Sequence, residues 1–368
     1  MLRQRRSNSK MANGADASDT EDDEIITRRA KRSRYSLIKK LLAFVIIILF
    51  IVYVIAPFGF RYLVFIQRGI VFMNFFDVIG FKNLSKPQED FGLNCTRVIS
   101  FKVNDDITLG VWHILPKSHL QRCAQSNLDD SKAFQDNRPV ILYLHGNGGA
   151  RGGWHRSELY KVLAYGDLDS HVVTFDYRGY GDSSNVLPSA EGLAEDSLAV
   201  YNWLARIVGL KRIIVWGHSL GTAVGVRFVN RLTQQESPKA LVLEAPFTSI
   251  EETVSNHPFA RLHRNMPYFK WFFIEPLVNN PDLNFDSKSI IGKVKCPILI
   301  LHALDDNIIP FELGKKLYEI ALNERANFTK HTQLVTFNGS HGYGHKHICR
   351  DPKLGKIIQN FLQNIQSK

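Results

Sequence analysis

The chain has 368 residues, 45% of them hydrophobic and 22% charged, with a formal net charge of +11. That balance excludes wholesale disorder and a fibrous repeat. The charge is unevenly spread: residues 1–40 hold eleven Lys/Arg against six Asp/Glu, so +5 sits in the first forty positions and +6 in the other 328.

An acidic patch, Asp19 to Glu24, precedes a basic run of Arg28, Arg29, Lys31, Arg32, Arg34, Lys39 and Lys40. Clustered cations serve nucleic-acid arms and nuclear signals, but the segment next to this run argues against a nucleic-acid partner. Leu41 to Phe60 is a run of twenty residues without a charge, the length that spans the hydrocarbon core of a bilayer. Pro57 and Gly59 loosen its last turn, so the continuous helix is expected to stop near Ala56. A core helix of this length would show a polar face, and a cleaved signal peptide would start earlier and be shorter. The expectation is a retained transmembrane anchor over 41–60 behind a disordered charged tail over 1–40.

Orientation follows from the flanking cations. Seven Lys/Arg fall within residues 28–40, whereas only Arg61 and Arg68 occur in the fifteen residues after Phe60. The positive-inside rule then puts the N-terminus in the cytosol and the rest of the chain on the lumenal or outer side. Sequons for N-glycosylation at Asn83, Asn94, Asn327 and Asn338 all lie beyond the anchor, as do the four cysteines, Cys95, Cys123, Cys296 and Cys349. The cysteine spacing has no metal pattern, and it permits three disulfide pairings without choosing among them. Residues 62–81 are nearly as apolar as the anchor but carry Arg68, Asn74 and Asp77. A charge at mid-span disfavours a second crossing, so a connector over 61–90 is expected at the membrane interface, with packing on the adjoining domain as the alternative.

From about residue 95 short β-branched runs alternate with helical stretches. Val98 to Val103 and Thr108 to Leu115 are predicted as an antiparallel pair turning at Asn104, Asp105 and Asp106. Buried strands are predicted at Pro139 to Leu144, His171 to Phe175, Arg212 to Trp216, Ala240 to Glu244, Pro297 to Leu301 and Thr332 to Phe337. Helices are predicted at Ala190 to Val208, Thr222 to Leu232, Phe311 to Leu322 and Pro352 to Ile365. The pattern is that of an α/β domain over 91–368 with a mostly parallel sheet covered on both faces. An insertion over about 249–295 breaks the alternation as a cap.

Chemistry concentrates at the ends of these strands. Gly217-His218-Ser219-Leu220-Gly221 directly follows Ile213-Ile214-Val215-Trp216 and precedes a helix, which is the strand-to-helix context of a nucleophile elbow. Its glycines permit the sharp turn that leaves Ser219 strained and aims the helix N-terminus at developing negative charge. Backbone N–H groups must receive that charge. Leu220 supplies one by position, and the loop Leu144-His145-Gly146-Asn147-Gly148-Gly149 the other, through Asn147 with Gly148 in reserve. No Lys-Ser/Thr pair follows this loop, so it is not a phosphate-binding P-loop.

The acid and the base of such a triad come later in the chain, in that order. Asp305 and Asp306 both lie after the strand ending at Leu301; Asp306 is preferred because Asp-x-x-Ile-Pro is the form this loop takes in related hydrolases. His341, His345 and His347 compete for the base, and Gly342-Tyr343-Gly344 favours His345 by placing it at the end of a flexible turn. A zinc cluster is disfavoured, since no His-Glu-x-x-His accompanies the trio. No cofactor or metal is expected.

The elbow, the Gly-rich loop and the turn Asp176-Tyr177-Arg178-Gly179-Tyr180-Gly181-Asp182-Ser183 together resemble the α/β-hydrolase-domain family. Gly110-Val111-Trp112-His113, Leu301-His302-Ala303 before Asp305 and Asp306, and Gly344-His345-Lys346 behind a single anchor resemble its subfamily twelve, the lysophosphatidylserine and monoacylglycerol lipases. The resemblance covers about residues 84–365. It implies an α/β-hydrolase fold and a membrane-bound serine hydrolase of the endoplasmic reticulum, facing the lumen, that cleaves lysophosphatidylserine and monoacylglycerols.

An aromatic run in the cap, Pro267 to Ile274, suits an acyl tunnel or a membrane-facing lid, or else packing of the cap on the core. For an anionic head group, Arg151 beside the oxyanion loop is the first candidate, with Arg261, Arg264 and Lys270 behind it. An acyl-protein thioesterase or another carboxylesterase is the alternative activity, and a non-catalytic membrane adaptor the alternative class; no obligate protein partner is implied.

Overall fold

The computed structural model describes residues 12–75, 82–125, 133–325 and 331–365. The chain divides into two compact units, Met1–Gly59 and Phe60–Lys368.

The described part of the first unit is helical. Helix α1 covers Ala12–Phe50, a π-helical turn comes next at Ile51–Ile55, and α-helix resumes over Ala56–Tyr62. Residues 1–11 of the charged tail lie outside the described residues; from Ala12 the segment is helical, and Glu24 pairs with Arg28 one turn on at 3.1 Å. The helix also runs past Ala56 to Tyr62. Proline crowds the carbonyl four residues before it, and the wider π turn, in which Ala56 N–H donates to Ile51 O, lies where Pro57 meets that carbonyl. The helical stretch Glu24–Tyr62 is long and apolar enough to cross a membrane.

The second unit is an eight-stranded sheet in the order β1-β2-β4-β3-β5-β6-β7-β8. The strands are β1 Thr96–Lys102, β2 Thr108–Ile114, β3 Val140–Leu144, β4 His171–Phe175, β5 Ile213–His218, β6 Ala240–Glu244, β7 Ile298–Ala303 and β8 Thr332–Phe337. β2 is antiparallel to both neighbours, and all pairs from β4 to β8 are parallel. Every residue of β3 to β7 is buried, which explains their unbroken apolar runs.

Alternate side chains go to opposite faces. Leu142, Leu144, Val215, Leu241 and Ile300 join one core, with α4 Ala190–Val208, α5 Leu220–Val229 and α6 Phe311–Glu324 packed on it. Ile141, Tyr143, Trp216, Val242 and Leu299 join the other, under α3 Trp154–Tyr165 and α7 Leu354–Asn364. A short helix before these, α2 Val64–Phe72, turns Gln67, Val71 and Phe72 inward while Val64, Phe65 and Ile70 stay exposed. This helix is therefore packed on the domain by one face and keeps an apolar face outward.

Of the cysteines, Cys95 and Cys123 form a disulfide with Cα atoms 5.7 Å apart, and Cys296 and Cys349 are buried thiols. Asn83, Asn94 and Asn338 are exposed, while Asn327 lies outside the described residues.

Candidate active site

The parallel strands end on one side, and the loops that leave β3, β5, β7 and β8 there carry the nucleophile, oxyanion, acid and base candidates. Pairing of Leu144 with Gly217 and of His218 with Glu244 sets the ends of β3, β5 and β6 level, the edge at which α/β sheets hold their ligands.

Ser219 sits between β5 and α5 with φ 52° and ψ −118°, a conformation L-residues rarely hold. The flanking glycines make it possible. A Cβ on Gly217 would lie 2.4 Å from Gly221 O, and one on Gly221 would lie 2.1 Å from Leu144 O. Ser219 N–H donates to Glu244 O at 3.0 Å, and the Thr222 hydroxyl donates to Ser219 O at 2.6 Å, so the turn is held from both sides. Ser219 is 6% exposed. Leu220 opens α5, which turns its N–H and the positive end of the helix dipole toward the serine.

Asp306 and His345 meet: His345 Nδ1 lies 2.7 Å from Asp306 Oδ2. The other oxygen, Oδ1, accepts from the N–H groups of Ile308 and Ile309, each at 2.9 Å. Burial alone would push this carboxyl up, but the adjacent His345, the His302 side chain and the Ile309 N–H hold it below the usual carboxylate range. Asp305 has a different task, accepting from Gly344 N at 3.0 Å and so fixing the turn that carries His345. His341 is exposed and stacks on Tyr343, and the His347 ring lies 4.7 Å from Trp154. Of the three histidines and two aspartates, His345 and Asp306 are the pair that the fold brings to hydrogen-bonding distance among the described residues.

His218, next to the serine, was missed by sequence reasoning. Its Nε2 lies 2.8 Å from His345 O; a carbonyl only accepts, so Nε2 carries the proton. Burial and the neighbouring His345 push its pKa down to about 3, which keeps the ring neutral. His218 thereby ties the elbow to the loop of the base, with the two rings 5.0 Å apart. Among the described residues no hydrogen bond joins Ser219 Oγ to the His345 imidazole; contacts of this kind tighten when substrate arrives.

Gly146 touches the elbow, since a Cβ there would lie 3.2 Å from Ser219 Cβ. The next residues divide the two oxyanion candidates. Gly148 N–H is spent on Phe72 O at 3.0 Å, at the C-terminal end of α2, whereas Asn147 N–H has no partner among the described residues. Asn147 is exposed, and its side chain turns aside to Val71 O at 3.4 Å.

Arg151 is corrected. It is fully buried, its guanidinium paired with Asp176 and with both oxygens of Asp182, the second at 2.8 Å, and stacked over Trp112 at 4.8 Å. Adjacency in sequence to the oxyanion loop does not reach the site, because the chain dives into the interior after Gly149. Arg261, Arg264 and Lys270 remain exposed on the cap. The aromatic run there is mostly internal: Phe269, Phe272 and Ile274 are buried, and Trp271, at 40% exposure, carries the Arg61 guanidinium 3.8 Å from its ring centre.

A family profile described as alpha/beta hydrolase fold matches residues 139–273. The lysophosphatidylserine lipase ABHD12 of Danio rerio is 44% identical over 301 residues, covering 81% of this chain and 77% of that protein. The protein of the same name from Rattus norvegicus is 44% identical over 314 residues, 84% of this chain and 77% of its own length. Protein ABHD12B of Homo sapiens is 34% identical over 297 residues, 80% of this chain and 79% of that one. Among solved structures, the Pyrococcus furiosus esterase Pf2001 superposes with a TM-score of 0.54 at 17% identity, over 78% of this chain and 96% of that chain. At that identity the likeness is one of fold.

Proposed function

This chain belongs to the ABHD12 family of α/β hydrolases, and from that membership we propose that it is a membrane-anchored serine hydrolase that cleaves the acyl ester of lysophosphatidylserine and of monoacylglycerols. The observation that carries the chemistry is the 2.7 Å contact of His345 with Asp306, on the strand edge where Ser219 is held strained.

The reaction runs in two halves. Ser219 Oγ attacks the ester carbonyl as His345 Nε2 takes its proton, and Asp306 holds the imidazole tautomer and the imidazolium charge. The carbonyl oxygen, now negative, accepts from the N–H groups of Leu220 and Asn147; one such donor is worth about 3 to 4 kcal/mol of barrier. Collapse breaks the ester bond, and His345 returns the proton to the departing glycerol-containing alcohol. Water, deprotonated by His345, then attacks the acyl-serine, releases the fatty acid and restores Ser219.

The lysophosphatidylserine assignment rests on the relatives' names and the monoacylglycerol one on the resemblance of the motifs, since Arg151 is no longer available to a head group. Membrane anchoring is supported by the helix Glu24–Tyr62 and its cationic N-terminal flank, and a lumenal catalytic domain in the endoplasmic reticulum by that orientation and the exposed Asn83, Asn94 and Asn338. Two measurements test this reading. Membranes carrying wild type should release fatty acid from both lipids and membranes carrying Ser219→Ala should not; equal release overturns the chemistry. Glycosidase should shift the protein on a gel, and unchanged mobility overturns the lumenal side.

A further inference from the structure

Arg156 lies in the first turn of α3 and is 2% exposed. Among the described residues no carboxylate reaches ion-pair distance of it; Asp176, just after β4, and Glu158, on the same helix, pair elsewhere. Its guanidinium instead faces backbone. Nη1 donates to Ala150 O, and Nη2 to Gly146 O at 3.0 Å, Asn147 O at 3.3 Å and Gly148 O at 2.8 Å. Three successive carbonyls of the oxyanion loop thus converge on one cation. Gly148 and Gly149 allow it, with φ of 68° and 64°.

In a planar trans peptide the C=O of one residue and the N–H of the next point in opposite directions. Drawing the Gly146 carbonyl back onto Arg156 turns Asn147 N–H the other way, and drawing back the Asn147 carbonyl turns Gly148 N–H toward Phe72 O. The orientation of the one loop donor left for an oxyanion is therefore set from behind. The same group places a buried positive charge under the loop, close enough to act on His145, His155 and His218 and to add to burial in keeping them uncharged.

We propose that Arg156 is the positioning residue of the oxyanion site: its fork fixes Asn147 N–H toward the tetrahedral intermediate, and its unpaired buried charge favours that anion over the neutral ester. The inference rests on Ser219 being the nucleophile, and the test separates the two. Wild type, Arg156→Gln and Arg156→Lys are compared in membranes for hydrolysis of a short p-nitrophenyl ester, for fluorophosphonate labelling, and for competition by an alkyl boronic acid and by a non-hydrolysable ether lipid. The boronate becomes anionic on the serine; the ether lipid does not.

Arg156→Gln should lower kcat and boronate affinity together by about a hundredfold, with KM and ether-lipid affinity within threefold of wild type. Arg156→Lys keeps the charge but not the fork and should recover part of both. Equal kcat and boronate affinity in wild type and Arg156→Gln overturn the proposal, and so does an equal loss of ether-lipid binding, which marks a merely structural role. If Arg156→Gln does not fold, wild-type kcat in Arg156→Lys overturns it, and a selective loss of kcat and boronate affinity supports it. Failure of fluorophosphonate to label wild type overturns the Ser219 reading instead.

Discussion

Replacing Asp306 by asparagine tests the dyad with almost no change of shape. In the structure Oδ1 accepts from two backbone N–H groups, Ile308 and Ile309, each at 2.9 Å. An asparagine amide cannot turn its NH2 toward two donors, so its oxygen keeps that position and the NH2 faces His345 Nδ1, 2.7 Å away in the wild type. Nδ1 then becomes an acceptor and the ring proton moves to Nε2, the atom that must receive the serine proton. The wrong tautomer costs about 10⁴-fold in kcat, about 5 kcal/mol of barrier. Asp305→Asn is the internal control. Asp305 accepts only Gly344 N–H near the base, at 3.0 Å, and its loss should cost less than about tenfold. Ester hydrolysis and fluorophosphonate labelling read both variants, with melting curves to establish folding. A folded Asp306→Asn that keeps more than a tenth of wild-type activity, or an Asp305→Asn as damaged as it, refutes the assignment.

Arg151→Met leaves Asp176 buried without its partner, which should cost about 3 to 5 kcal/mol in a melting experiment; among molecules still folded, the ratio of activity on lysophosphatidylserine to that on a neutral monoacylglycerol should be unchanged. Burial pushes the Glu244 carboxyl up to about 7, well above its unfolded value of 4.5. The native state therefore holds that proton more tightly, and its contribution to stability is complete below the unfolded value and lost as pH rises through the folded one. Glu244→Gln, which still accepts from Trp216, should flatten this part of the profile of Tm against pH; an unchanged slope refutes it. Cys95→Ser opens a disulfide spanning 28 positions, and chain entropy sets the expected loss at about 3 to 4 kcal/mol, read as a lower Tm in non-reducing buffer only.

Strands and helices with marked ends were readable from sequence alone. β4, β6 and β8 keep their predicted bounds, and so does α4, which Ser189 caps by accepting from Gly192 N and Gly209 ends. Helix α3 was not anticipated: its buried face includes Arg156 and Ser157, and polar residues turned inward hide the apolar period that betrays a helix. The same kind of concealment explains Arg151. A cation beside a catalytic loop looks available until Asp176 and Asp182, brought in by a turn 25 and 31 residues later, neutralise it. Ser219 was legible because two glycines mark a backbone strain, whereas the preference for Asp306 and His345 rested on loop form and needed the fold to bring one pair to hydrogen-bonding distance. Nothing in their spacing announces His218 or Arg156, which act on backbone carbonyls.

The end of α2 has a bearing on how this chain could be cut. Phe72 O accepts from Gly148 N–H and from the Tyr180 hydroxyl at 2.7 Å, and Asn74 Nδ2 donates to Gly179 O at 2.9 Å. Proteolysis between Tyr62 and Val64 would part the long helix from the sheet and leave these bonds whole. Proteolysis a dozen residues later would cut on the far side of α2, so that the acceptor of Gly148 N–H would no longer share a chain with the sheet. Two cleavages so close together would therefore differ in whether the acceptor beside Ser219 stays covalently joined to the groups it holds.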